Sequence, residues 1–125
     1  MPKGSNGDED FDERRFVALF RMAGPEGARE LADRLDKDLT MISQALSSVQ
    51  LRPDHQVLSA QRHVLMAIAG TIGANQLYRL SERLNGISRA PEGAELAEFL
   101  VEIQRLLTFL IHRVRSLPSD LVARP

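Results

Sequence analysis

Cysteine and tryptophan are absent from this 125-residue chain. Without a thiol, the sequence excludes disulfide frameworks, thiolate metal sites and cysteine nucleophiles. No apolar run approaches the roughly 18 residues that a membrane span requires, and the leader over residues 1–10 is polar rather than signal-like. Acidic and basic side chains nearly balance, for a formal charge of −1, so the basic footprint of a general nucleic-acid-binding protein is missing. These absences predict a cytoplasmic monomer that binds neither nucleic acid nor membrane.

Strand patterns are also lacking, because no stretch alternates between apolar and polar residues for long enough. Apolar residues instead recur every three or four positions, which is typical of amphipathic helices. The clearest stripes are Leu31, Leu35, Leu39, Ile42, Leu46 and Val49, and then Leu96, Phe99, Leu100, Ile103, Leu106, Leu107, Leu110, Ile111 and Val114.

Proline and glycine divide these helical patterns into five. Gly24-Pro25 ends a short first helix, further breaks lie at residues 52–54, 73–75 and 90–92, and Pro118 ends the last helix. The sequence therefore predicts an all-α fold, an antiparallel four-helix bundle with a short extra N-terminal helix. We expect a disordered leader at residues 1–10, one bundle over 11–117 and a tail over 118–125.

The histidines do not form a metal site. His55 and His63 are eight residues apart, which is not the spacing of a pair on one helical face, and we expect His112 to lie beside the core. His63 has the more unusual surroundings. We assign the core stripe of its helix to Val57, Val64, Leu65, Ile68 and Ile72, and an opposite face to Ser59, His63, Met66, Ala67 and Gly70. Small side chains there would let another surface approach the imidazole, although a helical histidine alone is more often structural. Gly70 could equally allow two helices to pack closely.

The segment from His63 to Ala74, HVLMAIAGTIGA, resembles the motif of histidine phosphotransfer (HPt) domains, approximately H-x-L-K-G-x-A-x-x-[LIV]-G. The resemblance continues through QLYRLSERLN, residues 76–85. It implies a bundle of HPt type in which His63 accepts a phosphoryl group from the aspartyl phosphate of a response-regulator receiver domain. The chain would be a phosphoryl-transfer intermediate rather than a turnover enzyme. Mg²⁺ would belong to the receiver, so no cofactor is expected in this chain.

Two further positions are candidates: Asn85 follows from the helical hairpin around residues 73 and 74, and the resemblance implies Arg89, since similar proteins carry basic residues near this place. Asn85 lies 22 residues after His63 and at a similar height, where family members often carry a glutamine that hydrogen-bonds the imidazole. Arg89, one turn later, would contact phosphate or an acidic receiver surface. Asn85-Gly86 is equally a helix-end signal, and Arg89 is equally a solvated side chain.

The chain departs from the family at two positions. Met66 stands where the family has lysine, and Ala67 where it has glycine; Arg62 or Arg89 is a candidate for the missing cation. We expect the receiver-docking face to comprise Ser59, Arg62, Met66, Ala67 and Gly70.

Two functions remain open at this point. One is a phosphorelay protein that passes phosphoryl groups between receiver domains, including that of a hybrid sensor kinase. The other is a degenerate interaction module that binds a receiver or kinase domain without phosphorylation. A small-molecule enzyme lacks support, because neither an acid–base pair nor a cofactor loop is present.

Overall fold

A computed structural model describes residues 10–52, 54–87 and 94–123, with the backbone alone for 85–87, 94 and 118–123. Four helices make up almost all of this part of the chain: α1 (Glu13–Leu51), α2 (His55–Ile72), α3 (Asn75–Ile87) and α4 (Ala94–Ala123). Aspartates cap the first two helices. The Asp12 carboxylate accepts a hydrogen bond from the Arg15 amide at 3.1 Å, and that of Asp54 accepts from the Gln56 amide at 3.0 Å. Within the described ranges the fold is all-helical.

A break at Gly24 divides α1 in two, as Gly24-Pro25 predicts. Gly24 has φ 79° and ψ 171°, a conformation that is essentially restricted to glycine. Glu13 and Asp36 lie eleven and twelve residues from this break, yet they bond to Arg113 and Arg115, two residues apart on α4. An uninterrupted helix would hold Glu13 and Asp36 about 34 Å apart. Residues 13–23, the N-terminal arm, therefore fold back beside the rest of α1 and form the predicted extra helix.

The four helices close into a ring in which α1 contacts α2 and α4, and α3 contacts α2 and α4. Gly73, with φ 83°, ends α2 and leaves only a short turn before α3. The core runs along the inside of this ring, and most residues of both predicted leucine-rich stripes are buried in it. Leu31, Phe99, Leu106 and Ile111 are only partly buried and pack against its edge. Phe16 and Phe20 of the N-terminal arm are also fully buried.

The residues that precede the N-terminal arm are fastened to the α2–α3 turn. The Asp12 amide donates to the Gly73 carbonyl at 2.8 Å, and the Asp10 carbonyl accepts from the Gln76 amide at 2.9 Å. An ion pair of 2.9 Å joins the Asp10 carboxylate to Arg79 of α3. We call residues 10–12 the strap. Asp10 was expected to belong to a disordered leader, but these bonds hold it; residues 1–9 lie outside the described part.

Two other expectations need correction. Val64 does not belong to the core stripe of α2: it is 42% exposed, and Leu58, Leu65, Ala69 and Ile72 are the buried residues. Helix α4 also does not end at Pro118 but continues to Ala123. Proline removes one backbone hydrogen bond from a helix, yet its fixed φ is itself helical, so it permits this continuation. The predicted tail therefore begins later than residue 118.

Candidate functional site

His63 is exposed near the middle of α2. Its position is about 160° around the helix from Leu65, whose side chain is fully buried. Ala67, one turn further along, is exposed as well. The predicted separation of His63 from the core is confirmed, and the small side chain of Ala67 leaves that side of the imidazole open.

The other predicted members of the docking face are less open. Ser59, Arg62, Met66 and Gly70 are all half-buried, on the side of α2 that faces α3. A Cβ atom added to Gly70 would lie 3.6 Å from the ring of Tyr78 on α3. Gly70 is thus a packing position between two helices. Tyr78 packs beside it, where we expected the surface of a partner. The motif contained Tyr78, but only the structure reveals its contact with Gly70.

The contact between Gly70 and Tyr78 fixes the register of α2 against α3. Seven residues make nearly two turns of a helix, so positions seven apart share one face. His63 lies seven residues before Gly70 on α2, and Asn85 lies seven residues after Tyr78 on α3. Because the two helices run antiparallel from a short turn, His63 and Asn85 occupy corresponding positions about 10 Å further from that turn. The backbone therefore agrees with the height predicted for Asn85, whose side chain lies outside the description.

Arg62 is half-buried, and its Nε atom is enclosed without a hydrogen-bond partner. Along α2, Arg62 lies between the buried residues and Ser59, Met66 and Gly70. Sequence reasoning placed it on an open docking face. Its enclosure was missed, because burial of a side chain at the edge of a helical face depends on how closely the neighbouring helices pack.

On its other side, the His63 face borders a shallow apolar cavity of about 210 Å³ between α1 and α2. The cavity is lined by Leu19, Leu31, Leu35, Ala67, Ile68, Thr71 and Ile72. Val64 adds exposed apolar surface next to His63. The imidazole is thus flanked by α3 on one side and by apolar surface on the other.

The two other histidines do not join this site, and the prediction for Arg89 stays a prediction. Arg89 lies in the segment that is not described. His112 is exposed rather than set beside the core, and His55, at the start of α2, is exposed two turns from His63. Among the described side chains, no three histidine, aspartate or glutamate residues come close enough to hold one metal ion. None of the four helices, over the residues described, is sufficiently long and apolar to cross a membrane.

Comparisons of the chain with protein-family models, with curated proteins and with solved structures found no match.

Proposed function

We propose that this protein is a histidine phosphotransfer protein of HPt type, which relays phosphoryl groups between response-regulator receiver domains. The observation that carries the proposal is the exposed imidazole of His63, on the middle of α2 and away from the core. The corresponding position of Asn85 on α3 supports it, because an amide there can orient a ring nitrogen. The HPt-like motif around His63 supplies the chemistry.

The transfer needs a nucleophile and an accessible approach. A ring nitrogen of His63 attacks the phosphorus of the receiver's aspartyl phosphate, and a nitrogen–phosphorus bond forms as the phosphorus–oxygen bond to the carboxylate breaks. The carboxylate leaves with the bonding electron pair, and the proton on the other ring nitrogen passes to water. The receiver provides the acidic pocket and its Mg²⁺, so this chain contributes the nucleophile and the surface that docks.

Apolar surface beside His63 favours the alternative function, a degenerate interaction module. Met66 stands at the position of the family's phosphate-binding lysine, while Val64 and Ala67 expose apolar groups. Such a surface can bind a receiver or kinase domain without accepting phosphate. The two functions share a docking face and differ in whether His63 becomes phosphorylated.

Incubation with phosphorylated receiver domains of the host distinguishes the two functions. The relay predicts an acid-labile, base-stable radiolabel on this chain, and we expect His63→Gln to abolish that label. His112→Gln is the matched control, since His112 is also exposed, and it should label like the wild type. Circular dichroism should remain unchanged in both variants, because neither side chain is buried.

Met66→Lys tests the same site by a gain of activity. A cation one helical turn from the imidazole would stabilise the transferring phosphoryl group, and about 1.4 kcal/mol of such stabilisation raises the transfer rate tenfold. The measurement is the initial rate of label transfer from a receiver. Receiver binding without transferred label, for every receiver and for both wild type and Met66→Lys, would establish the interaction module instead.

A further inference from the structure

We propose that Arg62 is the cation that binds the phosphoryl group on His63, in place of the lysine that Met66 replaces. This inference rests on the proposed phosphotransfer function and adds a positively charged ligand to it. Three observations support it: the environment of Arg62, the contrast with the paired side chain of Arg113, and the position of Arg62 relative to His63 and Met66.

The first observation is an unsatisfied donor. The Nε atom of Arg62 is enclosed and has no hydrogen-bond partner. No ion pair or hydrogen bond joins its guanidinium to any described residue. A buried donor without a partner destabilises a fold, more so when it is charged. An anion that arrives only in one functional state would supply the missing partner.

The second observation is the contrast with Arg113. Its side chain is also largely enclosed, with 21% exposure, but it bonds to Glu13 and lies 5.1 Å from the centre of the Phe16 ring. Glu82, the acidic residue of α3 nearest in register to Met66, forms no ion pair with Arg62. Both arginines are half-buried, but Arg62, whose Nε atom is enclosed, lacks the partners that Arg113 has.

The third observation is geometric. Arg62 and Met66 are four residues apart, so they are neighbours on the α3-facing side of α2. His63 lies between them in height: the Cα atom of Arg62 is about 1.5 Å from its level and that of Met66 about 4.5 Å, at the rise of an α-helix. The long side chain of Arg62 thus begins nearer in height to the imidazole than a lysine at position 66 would. Its planar guanidinium can donate two parallel hydrogen bonds to phosphate oxygens.

Phosphoramidate, a small phosphoryl donor, tests this role without a receiver. A ring nitrogen of His63 attacks phosphorus, the phosphorus–nitrogen bond of the donor breaks, and ammonia leaves with the bonding electrons while the other ring proton passes to water. We expect Arg62→Gln to lower the rate of phosphohistidine formation about tenfold, because transition-state charge loses its partner. Arg62→Lys should retain most of the wild-type rate, since it keeps the charge. Arg14→Gln, a change at an exposed arginine of the N-terminal arm, is the matched control and should leave the rate unchanged.

The unfolding temperature distinguishes a phosphate-binding role of Arg62 from a structural role, because the two roles predict opposite changes in Arg62→Met. If the Arg62 Nε donor gains a partner only when His63 is phosphorylated, Arg62→Met should unfold at the same or a higher temperature than the unphosphorylated wild type. The substitution removes a donor that has no partner in that state. Phosphorylation of His63 should raise the unfolding temperature of the wild type but not that of Arg62→Met.

The outcomes separate the two proposals. A wild type that accepts label from neither phosphoramidate nor any phospho-receiver overturns phosphotransfer itself. A labelled wild type with equal labelling of Arg62→Gln overturns the role of Arg62 alone. Lower unfolding temperature in unphosphorylated Arg62→Met, with unchanged labelling, would identify Arg62 as a packing residue.

Discussion

Polar bonds join α1 to α4 at several levels, whereas α2 and α3 are held by apolar packing and a short turn. The Ser43 hydroxyl donates to Gln104 at 2.6 Å, Arg115 bonds to Asp36 at 2.8 Å, and Arg113 bonds to Glu13. Leaving His55 and Asn75 aside, no side-chain hydrogen bond or ion pair joins the described side chains of α2 to those of α3.

The difference divides the molecule into two parts. We call α1 and α4 the framework, and α2 and α3, which carry His63, the site half. Directional bonds between α1 and α4 favour one register for the two long helices. Among the polar side chains of α2, His63 is exposed and the enclosed Nε atom of Arg62 has no hydrogen-bond partner. A surface intended for a transient partner is expected to keep such groups unpaired.

The largest effect should come from breaking the framework. Leu107 of α4 is fully buried, and Leu107→Ala should lower the free energy of unfolding by about 2–5 kcal/mol, because it loses apolar burial and leaves a cavity. Val64→Ala in the site half should cost about 0.5 kcal/mol or less, since Val64 is partly exposed. Urea denaturation measures both. Equal losses would contradict the division into framework and site.

An intermediate effect is expected at the turn between α2 and α3. Gly73 has φ 83°, and a Cβ there would lie 3.1 Å from the Asp12 Cβ and carbonyl oxygen. Gly73→Ala should therefore cost about 1–3 kcal/mol of unfolding free energy. Gly70→Ala is the matched control: its Cβ meets Tyr78 at an ordinary 3.6 Å, so the change should stay within about 0.5 kcal/mol. A tolerated alanine at position 73 would show that the strap does not constrain the turn.

The smallest effect should come from one bond of the framework. The hydrogen bond from Arg115 lowers the pKa of Asp36, so the folded state holds the carboxylate more acidic than the unfolded state does. This stabilisation is present above the unfolded pKa of about 3.9 and is lost as pH falls through the lower folded value. Asp36→Asn should cost about 0.2–1 kcal/mol near pH 7, as exposed ion pairs do, and the difference should vanish in acid. Asp38→Asn, whose partner Arg34 is on the same helix, is the control in the same denaturation series. A pH-independent cost would contradict the role of the ion pair.

Local signals predicted most of the framework. The leucine-rich stripes of α1 and α4 repeat strongly enough to identify their buried faces, and Gly24-Pro25 locates the reversal of the chain. Val64 was misassigned because Val64 and Leu65 are both apolar and adjacent. The true stripe includes Ala69, whose methyl group contributes little to a hydrophobic pattern. The strap was not predictable, since it joins residues that are far apart in sequence.

The site was predictable only in part. The exposure of His63 followed from the periodicity of its own helix, which is a local property. The enclosure of Arg62 and the contact of Tyr78 with Gly70 depend on how neighbouring helices pack against α2. The residue pattern of a single helix does not predict the distance between two helices. The position of Asn85 followed from counting residues outward from the turn, because helical rise is regular.

The strap also has a consequence for the order in which the chain folds. Asp10 and Arg79 are 69 residues apart in sequence, so closing this contact carries a large entropy cost until the intervening helices have formed. The strap can dock only on a finished α2–α3 turn, and we expect it to form after the transition state of folding and to open first under mild destabilisation. The amide protons of Asp12 and Gln76, which make its backbone bonds, should therefore exchange with solvent by a local opening that leaves the buried helices protected.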